Sequence, residues 1–181
     1  SGPAGCSNAT LGLFGGGYSG GHINVVEKIH IPTLGNASDW GDLTAATFYW
    51  AANFASLTRG FFAGGRAASD SDVINSFEFA SEGNGSDFGN LSAGKRGAAG
   101  CNSLTRGIVG GGASSPGGAP GAVNVIDYIT MASAGDTSDF GDLSGTRYNF
   151  TATSSSVRGV FSNGNVGPGG PITNIMEYIT I

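Results

Sequence analysis

One short segment recurs four times, and it constrains the fold more than anything else in the chain. It reads Leu11-Gly12-Leu13-Phe14-Gly15-Gly16-Gly17, then Arg59-Gly60-Phe61-Phe62-Ala63-Gly64-Gly65, then Arg106-Gly107-Ile108-Val109-Gly110-Gly111-Gly112, then Arg158-Gly159-Val160-Phe161-Ser162-Asn163-Gly164. The leading glycines Gly12, Gly60, Gly107 and Gly159 stand 48, 47 and 52 positions apart. A period near 50 residues marks stacked copies of one small supersecondary unit.

Three further anchors divide each copy. A strand rich in β-branched and aromatic residues follows the glycine segment: Ile23 to Ile29, Ile74 to Phe79, Val123 to Ile129 and Thr173 to Ile179. Each contains an Asn with an acid three positions later, which aligns Glu27, Glu78, Asp127 and Glu177. A turn-and-strand segment, Ser-Asp-aromatic-Gly-Asp/Asn-Leu, carries Trp40, Phe88 and Phe140 and occurs three times. Asp and Gly supply its turn, and the aromatic is expected to plug the space between neighbouring units. A strand of small residues precedes each glycine segment, around Gly5-Cys6, Asn53-Phe54, Gly100-Cys101 and Ala152-Thr153. Small side chains suit the crowded centre of a radial assembly.

Four short strands per copy predict an all-β chain, a β-propeller of four-stranded antiparallel blades. The blades are placed at about 1–47, 48–95, 96–147 and 148–181, the last one incomplete because the aromatic segment is missing from it. No segment holds a 3.6-residue apolar period over two turns, which excludes a helical solenoid. A β-sandwich is the weaker rival, having no reason to repeat at this period. The incomplete fourth copy has three explanations: a stretch of a longer array, a compact four-bladed ring, or copies combined between chains. The first is our expectation, because repeat arrays need atypical end caps and neither end here is atypical.

The composition narrows function by exclusion. The net charge is −5 with only 8 Lys and Arg, so no basic stripe exists to hold nucleic acid. No apolar run approaches the ~20 residues of a membrane-spanning helix. Charged residues make up 12% and apolar ones 39%, values of a folded chain rather than a disordered one. Cys6 and Cys101 occupy the same place in copies one and three. Copies two apart point in different directions, so both are read as small buried side chains and not as a disulfide.

The apolar pair followed by a double glycine, the following strand and the spaced aromatic resemble the repeats of kelch-type β-propellers. Gly16-Gly17, Gly64-Gly65 and Gly111-Gly112 carry the resemblance, Asn163-Gly164 departs from it, and Trp40, Phe88 and Phe140 take the place of the blade-core aromatic. More narrowly, the combination Arg-Gly-x-x-x-Gly-Gly, Asn-x-Ile-Asp-Tyr-Ile-Thr and Ser-Asp-Phe-Gly-Asp-Leu is similar to glycine-rich repeats in structural proteins of marine tailed phages. That resemblance implies a virion appendage such as a tail-fibre or receptor-binding module.

Loops between the glycine segment and the next strand differ in length and sequence: residues 18–22, 66–72, 113–122 and 165–171. Variable loops on one face of a constant scaffold are where recognition resides. Tyr18, His22, Ser69, Asp70, Asp72, Ser114 and Ser115 are the candidate ligand contacts. Arg59, Arg106 and Arg158 recur with Glu78, Asp127 and Glu177, and one ion pair per blade is the expected reason. Asn36, Ser38, Asp39 and Asp42, like Asp136, Ser138, Asp139 and Asp142, offer oxygens at short spacing, but turn hydrogen bonding explains them better than calcium does. His22 and His30 do not converge as copper ligands would, and no nucleophile–base set can be argued. The expectation is therefore a non-enzymatic recognition or adhesion module without cofactor or metal, on a virion surface or outside a cell. Its partners would be a cell-surface glycan or protein, together with itself or other virion proteins. The alternatives are a purely structural assembly protein and a secreted propeller enzyme.

Overall fold

A computed structural model describes residues 2–48, 51–114, 121–167 and 170–181. Among the described residues the strands form five antiparallel sheets, four of them the blades of a β-propeller. Blade I holds β1 (Ala4–Ser7), β2 (Leu11–Gly15), β3 (Val25–His30) and β4 (Ser38–Asp42); blade II holds β5 (Ala52–Ala55), β6 (Arg59–Ala63), β7 (Val73–Glu78) and β8 (Ser86–Asn90). Blade III is built from β9 (Ala99–Asn102), β10 (Arg106–Gly110), β13 (Val125–Thr130) and β14 (Ser138–Asp142). A two-stranded insert, β11 (Ala113–Ser114) with β12 (Gly121–Ala122), lies in its long loop. Blade IV has three strands, β15 (Thr151–Ser154), β16 (Arg158–Ser162) and β17 (Met176–Thr180). The insert was not apparent in the sequence, because two residues per strand carry no periodicity.

Local rules explain the motif. The double glycines adopt left-handed backbone, φ 67° and 115° at Gly16 and Gly17, and Asn163 takes φ 66° in the fourth copy. Asn is among the few residues with a side chain that tolerate this region, so the departure from Gly-Gly preserves the turn. In each fourth strand one residue is extra: Gly41 lies opposite Val26 and Asp39 opposite Glu27, leaving Trp40 between them. Phe88 and Phe140 occupy the same bulge. A bulge re-aims a side chain, and here the re-aimed residue is the blade-core aromatic.

The register corrects one alignment. Ile74 opposes Gly89 as Val26 opposes Gly41 and Ile126 opposes Gly141. Asn75, not Glu78, is therefore the counterpart of Glu27, Asp127 and Glu177. Asp72 corresponds to Asn24 and Asn124, since the carbonyls of all three accept from the N–H of the following Leu43, Leu91 or Leu143. Asp72 thus belongs to the repeat scaffold rather than to the variable loop. Matching on the Asn alone slid the second copy by three residues.

Apolar cores lie between blades, not within them. Leu13, Val26 and Trp40 of blade I pack on Phe62, Phe77 and Phe79 of blade II. Phe61, Ile74 and Phe88 of blade II pack with Val109, Ile129 and Met131 of blade III. Ile108, Ile126 and Leu143 of blade III meet Phe161, with Phe140, Ile179 and Ile181 partly buried against them. The leading glycines are sockets in these cores. A Cβ on Gly60 would lie 2.8 Å from Cys6 Sγ, one on Gly159 would lie 2.7 Å from Cys101 Sγ, and one on Gly107 would overlap the Phe54 ring. Each first-strand side chain fills the place of an absent Cβ in the next blade. Both cysteines are free thiols used this way, and burial pushes each thiol pKa up to about 12.

A polar latch accompanies every core. Lys95 Nζ reaches Asp127 Oδ2 at 2.7 Å, with side chains 2% and 0% exposed. Ser92 Oγ donates to the same oxygen. At the next junction Arg147 pairs with Glu177, and the Ser144 N–H donates to that carboxylate. At the first junction the equivalent residues are neutral: buried Thr47 takes the place of the cation, and Thr44 donates through N–H and Oγ1 to Asn75 Oδ1. Charge is thus present or absent on both sides together. Among the described residues the expected Arg–acid pair within each blade holds only for Arg59 with Glu78. Asp127 and Glu177 are taken by the latches, while Arg106 and Arg158 lie over the rings of Tyr128 and Tyr178.

Candidate functional site at the loop end

The antiparallel register puts the variable loops and the starts of the inner strands at one end. Ala4 opposes Gly15, Ala52 opposes Ala63 and Ala99 opposes Gly110. The inner strands therefore start where the second strands run into their loops. There the inner strands of all four blades surround a cavity of about 280 Å³, lined by Pro3, Ala4, Ala52, Ala99, Phe150 and Ala152 among others. Small side chains let four strands converge, as their composition implied. Asn53 and Asn102 tie neighbouring inner strands by donating to the carbonyls of Gly5 and Ala55.

At this end of the sheets the candidate residues fall into two groups. Tyr18 and His22 bridge across the first loop, and their rings meet Phe48. The His22 and Phe48 rings stack at 4.6 Å with 23° between planes, and Tyr18 is 45% exposed. This is an aromatic platform with polar edges. In the second loop Ser69 is exposed at the tip, its carbonyl accepting from the Ala67 N–H. Asp70 has an almost buried carboxylate held by Arg96, at 2.7 Å to Oδ2, with Arg66 farther off at 3.9 Å. Its charge is thus already satisfied within the protein. Asp72 is exposed at the strand entry, and Ser114 is half-buried in β11. Ser115 lies outside the described residues.

Phe48 and Arg96 complete these groups and were not singled out in the sequence. Both follow the latch position, directly after Thr47 and Lys95, and Tyr148 follows Arg147 in the same way. Each pairs as an isolated bridge with a loop residue: Phe48 with Arg66, Arg96 with Ala113, Tyr148 with Asn165. The signal was present in the repeat, as one position that is aromatic, cationic and aromatic again at the starts of blades II, III and IV.

The acidic turn segments act as hydrogen-bond acceptors. Asp136 Oδ1 accepts from the Asn90 N–H, Asn84 Oδ1 from the Asp42 N–H, and Asp139 Oδ1 from the Gly141 N–H. The first two join the outer strand of one blade to the turn of the next. Among the described residues no three His, Cys, Asp or Glu side chains converge as a metal site would require.

No family model matches the chain, and no curated protein matches it. Among solved structures it is similar to one described as the structure of YjhT, with a TM-score of 0.81 and 13% identity. The match covers 100% of this chain and 66% of that one, so the chain spans about two thirds of the structure it resembles. At this identity the likeness establishes the fold.

Proposed function

We propose that this propeller is a recognition module that binds a cell-surface glycan or protein across its loop end, on a virion appendage or another extracellular surface. The observation that carries the proposal is the Tyr18–His22–Phe48 platform, three rings in contact at the loop end of the sheet scaffold. Aromatic faces with polar edges bind sugar rings and peptide side chains with little loss of conformational entropy, and they dominate interface energetics. The neighbouring Arg96–Asp70–Arg66 cluster adds fixed polarity beside the platform. The resemblance to phage structural repeats supports the virion setting. A purely structural assembly role is the second reading, favoured by the open apolar faces of blades I and IV, where Phe14, Met176 and Tyr178 are exposed.

The test is a glycan array and host-cell binding assay on the whole chain, followed by affinity measurement with Tyr18→Ala and His22→Ala. Loss of an aromatic anchor is expected to weaken binding by about tenfold or more while the melting temperature stays within about 2 °C. Binding that survives both changes would exclude this face as the site.

A further inference from the structure

Blade I presents a face built like three faces that are buried elsewhere. Phe14 is 44% exposed, whereas its counterparts Phe62, Val109 and Phe161 are 0–1% exposed. Val25 and Ile31 are also open, and Phe14, Val25, Pro3, Ile23 and Glu27 line a concavity of about 270 Å³. Gly12 is an empty socket: a Cβ there would meet only Ile29 and Phe14 of its own blade, while the matching glycines of blades II to IV each receive a side chain from the blade before. Blade IV shows the complementary deficit. Met176 is 71% exposed where Val26, Ile74 and Ile126 are 0–1%, and Tyr178 is 63% exposed. Among the described residues no apolar core joins blades IV and I.

Glu27 identifies what the face fits. It holds the position of Asn75, Asp127 and Glu177, each of which receives the latch of the preceding blade. At the two junctions where this position is acidic, the preceding blade ends in Lys95 or Arg147. Where it is neutral, the preceding blade ends in Thr47. Glu27 is exposed and, among the described residues, has no cation against it. Asn36, the counterpart of the interblade acceptors Asn84 and Asp136, is likewise open.

We propose that the open face of blade I docks a further propeller blade of this same repeat type, whose last turn sets a lysine or arginine against Glu27 and whose first strand fills the Gly12 socket. A second copy of the chain is a poorer fit, because its latch cations Lys95 and Arg147 are already paired with Asp127 and Glu177. The shared fold has room: this chain accounts for 66% of the matched structure, and the remaining third is the length of about two blades.

The experiment lengthens the chain with its own blades. A duplicate of residues 48–147 is placed before Ser1, so that the duplicate's Arg147 can reach Glu27; a second version carries it after Ile181. Phe14→Cys reports the face through maleimide labelling, which should slow at least tenfold in a lengthened chain relative to the 181-residue chain. Glu27→Ala should lower the melting temperature of that lengthened chain by several degrees and leave the 181-residue chain within about 1 °C. Glu27→Arg combined with Arg147→Glu in the duplicate should restore it. Equal labelling in both lengthened chains and the parent would overturn the proposal. So would Glu27-dependent dimerisation of the 181-residue chain, which would assign the face to a second copy.

Discussion

The latch between blades II and III can be exchanged for the neutral latch between blades I and II, and the outcome tests whether the two are one device. Lys95→Thr alone removes the ammonium 2.7 Å from Asp127 Oδ2 and leaves a fully buried carboxylate held by Ser92 alone. Removing one partner of a buried pair typically costs about 3–5 kcal/mol, because the remaining charge is left uncompensated. For a chain of this size that is a drop in melting temperature on the order of 10 °C. Asp127→Asn alone strands the buried ammonium and should cost a similar amount. The double variant, Lys95→Thr with Asp127→Asn, recreates Thr47 with Asn75, whose amide oxygen accepts from Thr44 as the new amide would accept from Ser92. It should lie within about 1.5 kcal/mol of the parent, since a buried ion pair contributes little net stability over a well-matched neutral replacement. Urea unfolding of all four proteins gives the coupling energy, expected at 2 kcal/mol or more. Additive losses, or a Lys95→Thr variant as stable as the parent, would refute the reading of the latch.

The socket glycines should separate by position. Gly107→Ala drives a methyl into the Phe54 ring and should destabilise by about 1–3 kcal/mol, with partial recovery on adding Phe54→Ala; Gly12→Ala, whose nearest neighbour is the Ile29 side chain at 3.2 Å with no side chain from another blade in contact, should change the melting temperature far less. Native Cys6 and Cys101 should resist a disulfide reagent at pH 8 and react once urea unfolds the chain, because thiols with a pKa near 12 carry almost no thiolate there. The folded thiols hold their protons more tightly than the unfolded ones, so stability from this source is full below about pH 9 and is lost as pH rises towards 12. A stability profile that is flat over this alkaline window would count against the burial of both thiols.

What could be read from the residues was whatever is local and repeated. The glycine segments, the bulge aromatic and the small inner strands each follow from one copy of the unit, and their recurrence was enough for a propeller. Pairing was harder to read. The Arg–acid ladder was placed within blades, yet Asp127 and Glu177 face the preceding blade, 32 and 30 residues back at Lys95 and Arg147. Asn75 was aligned by its name rather than by its place in the sheet. The candidate site was half legible: Tyr18 and His22 lie in a variable loop, but Phe48 joins them only because the chain returns to that loop on its way into the next blade.

The sequence by itself determined the unit and its strand order, because turns, bulges and alternation are short-range and each copy states them again. The tertiary structure alone decided which face of each blade is covered, which acid meets which cation, and which glycine receives a side chain. Those are relations between copies, and a blade's own residues read the same whether or not a neighbour is packed against them. Phe14 and Phe62 occupy the same place in the same motif, and only the presence of a preceding blade makes one exposed and the other buried.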